Sequence, residues 1–83
     1  MSPAGSPTRA QLAVLRWLHE HPGEDVFSYY EETGKTLWRG LAVVSRRGAA
    51  GVMFYRLADQ GLVEPGSKWE PKLTAAGREA IGV

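Results

Sequence analysis

RRGAAGVMFYRLADQGLV, residues Arg46–Val63, is the stretch on which the reading of the chain turns. On the helical period of about 3.6 residues, Ala50, Met53, Phe54 and Leu57 fall on one face, as in an amphipathic helix with a buried stripe. The opposite face carries Gly48, Gly51, Val52, Tyr55 and Asp59. Gly61 stands where a helix ends in a left-handed residue, a conformation open to a residue without Cβ. Leu62 and Val63 then begin an extended segment. The outer face starts with small residues, holds an aromatic hydroxyl in its middle, and is preceded by Arg46 and Arg47. A helix of this kind can bring its backbone close to a grooved surface and hold it by positive charge.

Upstream, Thr36 is placed to cap a helix over Leu37–Val44, with Leu37, Leu41 and Val44 on one face. Gly40 weakens that helix by about 1 kcal/mol relative to alanine but would permit close approach of a second helix. Ser45-Arg46-Arg47-Gly48 reads as a short turn, so the two helices have the layout of a helix-turn-helix. Downstream, Pro65-Gly66-Ser67 signals a turn between Leu62-Val63-Glu64 and Lys68–Leu73, an expected hairpin. Trp69 and Leu73 fall on one side of its second arm, with Lys68, Glu70 and Lys72 on the other, and Pro71 suits an edge. Thr74 can cap a last short helix, Ala75–Ile81.

At the other end, Thr8 and Gln11 have capping-box spacing before a helix over Arg9–His21, which Pro22-Gly23 stops. Residues 1–7 read as a flexible arm and 8–83 as one domain. Glu24–Lys35 admits two readings: a helix from Tyr29 capped by Ser28, or a strand over Val26–Tyr30 followed by a loop. Its aromatic and β-branched content favours the strand.

The chain has 83 residues, a length at which a single core is only just sufficient, and a hydrophobic fraction of 43% that supports folding. Trp17, Trp38 and Trp69 are expected in the core. There is no cysteine, which excludes disulfides and thiolate-bound zinc. No apolar run approaches the roughly 18 residues needed to span a bilayer, and the first residues lack the marks of a signal peptide. A cytoplasmic protein with no membrane partner is expected. His19 and His21 point in different directions on a helix and have no further ligands at metal-binding spacing, so no metal site is expected. Gly34-Lys35-Thr36 lacks the upstream glycine of a phosphate-binding loop, so no nucleotide cofactor is expected. No catalytic set of nucleophile, base and acid is apparent, and an enzyme is not expected.

The net charge is only +1, but it is unevenly spread. Glu20, Glu24, Asp25, Glu31 and Glu32 crowd together, whereas Thr33–Ala58 has no acid and holds Lys35, Arg39, Arg46, Arg47 and Arg56. That separation favours a surface with one basic side.

Tyr55-Arg56-Leu57-Ala58-Asp59-Gln60-Gly61-Leu62-Val63-Glu64 and Lys72-Leu73-Thr74-Ala75-Ala76-Gly77-Arg78-Glu79-Ala80 together resemble winged helix-turn-helix transcription regulators, most closely the PadR and MarR groups. The likeness covers about Leu37–Ala80. It implies a mainly α fold with a small β-hairpin wing: about three core helices, a two- or three-stranded sheet and a short C-terminal helix. The third helix has Gly51-Val52 where PadR proteins commonly carry an aromatic-proline segment. The extra helices through which those regulators dimerise have no counterpart in the matched stretch, so dimerisation and ligand sensing are not carried over.

The resemblance implies a sequence-specific regulator of transcription, repressor-like or controlling a mobile element, that binds double-stranded DNA. The third helix, about 48–60, would lie in the major groove and the wing, 62–73, on the backbone or minor groove. Gly48, Ala49, Gly51 and Val52 would permit close approach, and Val52 would meet a thymine methyl. Tyr55 and Arg56 would reach phosphates or a base, with Arg46 and Arg47 as the strongest electrostatic contacts. Lys35 and Arg39 extend the basic stretch, and Lys68 and Lys72 would serve from the wing. The competing expectation is a protein-interaction module that uses the acidic 20–32 surface; a protein partner or a homodimer stays open under both.

Overall fold

The computed structural model describes residues 7–34, 37–39, 42–44 and 46–83, with only the backbone described for 37–39, 42–44 and 46. Residues 1–6 of the expected arm 1–7, the Thr36 cap, Lys35, Gly40, Leu41 and Ser45 lie outside the described residues.

The first helix, α1, runs Arg9–Glu20. Its start is fixed by a reciprocal capping box: the Gln11 amide donates to Thr8 Oγ1 at 3.2 Å and the Thr8 amide donates to Gln11 Oε1 at 2.9 Å. Val14, Leu15 and Leu18 fall on its buried side. Gly23, with φ of 89°, reverses the chain after it.

The second helix, α2, covers Val26–Thr33 and corrects the expected strand-then-loop. Its cap is Asp25, three residues before the Ser28 considered from the sequence. Asp25 Oδ1 accepts from both the Ser28 amide and the Ser28 hydroxyl, each at 2.9 Å. With the start moved back, Val26, Tyr29 and Tyr30 take helical spacing and are all buried. Gly34, with φ of 67°, ends the helix.

The helix expected over Leu37–Val44 does not form among its described residues. In its place β1, Leu37–Arg39, pairs antiparallel with β2, Ala42–Val44, in the register Leu37↔Val44, Trp38↔Val43 and Arg39↔Ala42. Tryptophan and paired valines suit a strand, and the glycine between the two segments is unfavourable inside a helix.

The third helix, α3, spans Arg46–Asp59 and presents Ala49, Ala50, Met53, Phe54 and Leu57 to the interior. It packs along α2, while α1 contacts α2 and the last helix, α4, Ala75–Ala80. The core joins these helical residues to Leu62 and Val63. Gly61 has φ of 72°, as expected of a helix-ending glycine, and the Leu62 amide donates to the Leu57 carbonyl oxygen at 2.9 Å.

The expected wing is also corrected. Between 62 and 73 the chain forms one bridge, Val63↔Leu73, extended by a bond from the Glu64 amide to the Lys72 carbonyl at 2.9 Å, and no strand ladder. The turn is held by a side chain: the Ser67 hydroxyl donates to the Glu64 carbonyl at 2.6 Å and accepts from the Lys72 amide at 3.1 Å. Pro71 has no amide hydrogen to add to a ladder. The winged helix-turn-helix arrangement is therefore not the fold of this chain. Paired strands occupy the first helix of the motif, and the wing sheet is reduced to a bridged loop. The mainly helical character is retained.

Thr74 caps α4, its hydroxyl accepting from the Gly77 amide at 3.1 Å and donating to the Gly61 carbonyl at 2.5 Å. That second bond ties the start of α4 to the end of α3. Among the described residues, no helix is long and apolar enough to cross a membrane.

Candidate nucleic-acid interface

The outer face of α3 is set by what its inner face buries. Positions 49, 50, 53, 54 and 57 point inward, which turns 47, 48, 51, 52, 55 and 59 away from the core. Arg47, Tyr55 and Asp59 are exposed, and Gly48, Gly51 and Val52 are half-buried. A Cβ built on Gly51 would meet nothing within 4 Å, so this glycine leaves open space beside the helix. Ala49 is the exception among the expected contacts. It is 1% exposed and belongs to the core, so it has no surface to offer a ligand.

Arg56 is not brought to this patch. Nine residues at about 100° each separate it from Arg47 by half a turn. It is exposed, and its charge acts on Tyr30 from α2 instead. Burial, then the neighbouring Tyr29, raise the Tyr30 phenol above its ordinary pKa of 10.0, and Arg56 opposes them.

The loop after α3 completes the patch. Lys68 Nζ lies 5.5 Å from the centre of the Tyr55 ring and 5.3 Å from that of Trp69, so one ammonium serves two aromatic faces. Tyr55 is in turn edge-on to buried Phe54, with centroids 5.7 Å apart at 78°. Trp69 is 77% exposed, which corrects its expected place in the core. The signal for this was present: Trp69 stands in a short segment between Pro65-Gly66 and Pro71, where a buried strand is poorly accommodated. Trp17 does pack against the core, stacked on His21 at 4.2 Å and edge-on to Tyr29. Lys72 is exposed on the far arm of the loop. The side chains of Trp38, Arg39 and Arg46, with all of Lys35, lie outside the described residues.

Between α2, α3 and the loop is a cavity of about 310 Å³, walled by Val26, Phe27, Ala50, Gly51, Phe54 and Trp69. Arg47, Lys68 and Asp25 also line it. Asp25 and Phe27 were not foreseen as site residues, because the segment holding them reads as strand when the Asp25 cap is overlooked. The patch thus combines two cations, the Asp25 carboxylate, exposed Trp69 and an open stretch of helix at a mostly apolar cavity, with exposed Tyr55 joined to it through Lys68.

The electrostatics of the α3 start add to this. Arg46 and Arg47 occupy the first turn of a 14-residue helix with no acid there. The backbone dipole is itself positive at that end, so the arginines raise a potential that would ordinarily be neutralised by Asp or Glu. No protein-family model, curated protein or solved structure matches the chain.

Proposed function

We propose that this chain binds double-stranded DNA through the outer face of α3 and acts in the cytoplasm as a sequence-specific regulator of transcription, with no catalytic activity of its own. The observation that carries the reading is the cluster of Arg47, Tyr55, Lys68 and Trp69 around the open Gly51. Cations attract the phosphate backbone, and exposed aromatic rings add contact area that water-facing lysines alone do not provide. Arg47, at the positive end of α3, contacts a phosphate or the acceptor pair of guanine. Gly48, Gly51 and Val52 let the helix approach a groove, and Lys68 and Lys72 hold the backbone beside it. Asp59, exposed at the end of α3, repels phosphate and confines the contact to the helix's first three turns.

The test is an unbiased selection of duplex sequences with the purified protein. Enrichment of a defined site supports the reading, and a two-fold symmetric site would add a dimer. Failure to retain any duplex at low salt overturns it. The acidic surface of Glu20, Glu24, Glu31 and Glu32, all exposed, would then become the face to present to protein partners.

A further inference from the structure

The cavity beside α3 is far too small for a duplex, yet it stands in the middle of the face proposed to hold one. At about 310 Å³ it is at the lower end of ligand cavities, a size suited to one planar group. Its walls are apolar and aromatic, with Trp69 as an exposed ring. Its charged groups are of both signs. Arg47 supplies a guanidinium, and Asp25 supplies a carboxylate that two bonds from Ser28 hold in a fixed orientation. Lys68 stands beside Trp69.

A nucleobase turned out of its stack fits this combination: it offers a flat face to an aromatic ring and a polar edge to charged groups. The polar groups select among the bases. Guanine presents the acceptor pair O6 and N7, which suits a guanidinium fork, together with the donors N1–H and N2–H, which suit a carboxylate. Adenine and cytosine each offer one amino donor and thymine one ring N3–H, and none of them presents adjacent ring and amino donors together with an O6/N7 acceptor pair.

We infer that the cavity takes an unpaired guanine, stacked on Trp69, with Arg47 on its acceptor pair, the Asp25 carboxylate oxygen that does not accept from Ser28 on its N1–H, and Lys68 on an adjoining phosphate. The inference rests on the nucleic-acid reading above and narrows it to a substrate: DNA that carries an extruded or unpaired guanine.

The experiment measures affinity, by fluorescence anisotropy, for one duplex in four forms: fully paired, or carrying a single bulged guanine, cytosine or abasic site. The bulged guanine is expected to bind about tenfold more tightly than the abasic bulge, the loss typical of one base–aromatic stack. The abasic form controls for the bend that any bulge introduces. Gly51→Leu, which adds bulk where the helix has room, and Trp69→Ala are expected to erase the difference. Asp25→Asn keeps a capping side chain and is expected to reduce the preference for guanine over cytosine. Circular dichroism on each variant establishes that it is folded. Equal affinity for the guanine and abasic bulges overturns the base-pocket inference while the nucleic-acid reading stands. Equal affinity for guanine and cytosine overturns the assignment of the base. Binding to none of the four overturns both readings.

Discussion

The ammonium of Lys68 lies 5.5 Å from the centre of the Tyr55 ring, so the loop that follows α3 is folded back against the helix's own outer face. This contact joins the two parts of the candidate interface. A cation over an exposed ring contributes about 0.5–1 kcal/mol. Tyr55→Ala is expected to lower stability by about that much in urea unfolding, and Lys68→Ala by more, because its ammonium also lies over Trp69. The double variant is expected to lose less than the sum, because the same contact is removed twice. Strict additivity would show that the two side chains do not interact in solution.

Arg47 separates stability from function. Its charge at the start of α3 opposes the helix dipole, so Arg47→Glu is expected to stabilise the fold by about 0.3–1 kcal/mol. Under the proposed binding, the same change would set a carboxylate against phosphate, and it is expected to abolish duplex binding. Thermal unfolding and anisotropy on one preparation check both. A variant that is less stable and still binds would contradict the assignment.

Two glycines in helices should respond in opposite directions. Gly51 has room for a side chain, so Gly51→Ala is expected to stabilise by roughly 0.5–1 kcal/mol through helix propensity. Gly77 has none: a Cβ there would overlap the carbonyl of Leu62, which is backbone and cannot swing aside. Gly77→Ala is expected to cost about 1–3 kcal/mol, the range for overpacking. In a domain of this size the melting temperature moves by about 4–8 °C per kcal/mol, so a thermal scan resolves both.

These positions also show where the sequence was legible. The Thr8–Gln11 pair, the inward stripe from Ala50 to Leu57, the Gly61 end and the Thr74 cap are local patterns, and each element stands within a residue or two of its expected bounds. Leu37–Val44 misled because Leu37, Leu41 and Val44 satisfy a helical period by coincidence, while the side-chain shapes of Trp38, Val43 and Val44 suit pairing. Trp69 misled because tryptophan is most often buried, and only the flanking prolines marked its segment as a loop. The cavity was invisible, since it depends on Phe27 and Asp25 meeting residues some twenty to forty positions away. The sequence names Arg47, Gly51, Tyr55 and Lys68 as expected DNA contacts, but not the cavity that Arg47, Gly51 and Lys68 line together.

Alkaline pH tests the packing of α2 against α3. Burial and Tyr29 hold the Tyr30 phenol above the pKa of 10.0 that it has in the unfolded chain. The stabilisation is therefore complete below that value. It is lost as pH rises from there through the folded-state value, because the unfolded chain releases its proton first. Melting temperature is expected to fall above about pH 10 and to fall less steeply in Tyr30→Phe. Parallel curves for the two proteins would contradict the buried environment assigned to Tyr30.

Binding through the outer face of α3 is tested most directly by duplex affinity across a range of salt. Three proteins are compared: the native chain, the Arg47→Ala/Lys68→Ala pair and the Glu31→Ala/Glu32→Ala pair. Each phosphate that a variant no longer neutralises should reduce the slope of log affinity against log salt by roughly 0.9. A shallower slope and weaker binding are expected for the first pair, with the acidic pair at or above native affinity. Identical behaviour of the two pairs, or no duplex binding by the native chain at low salt, would contradict the proposed interface.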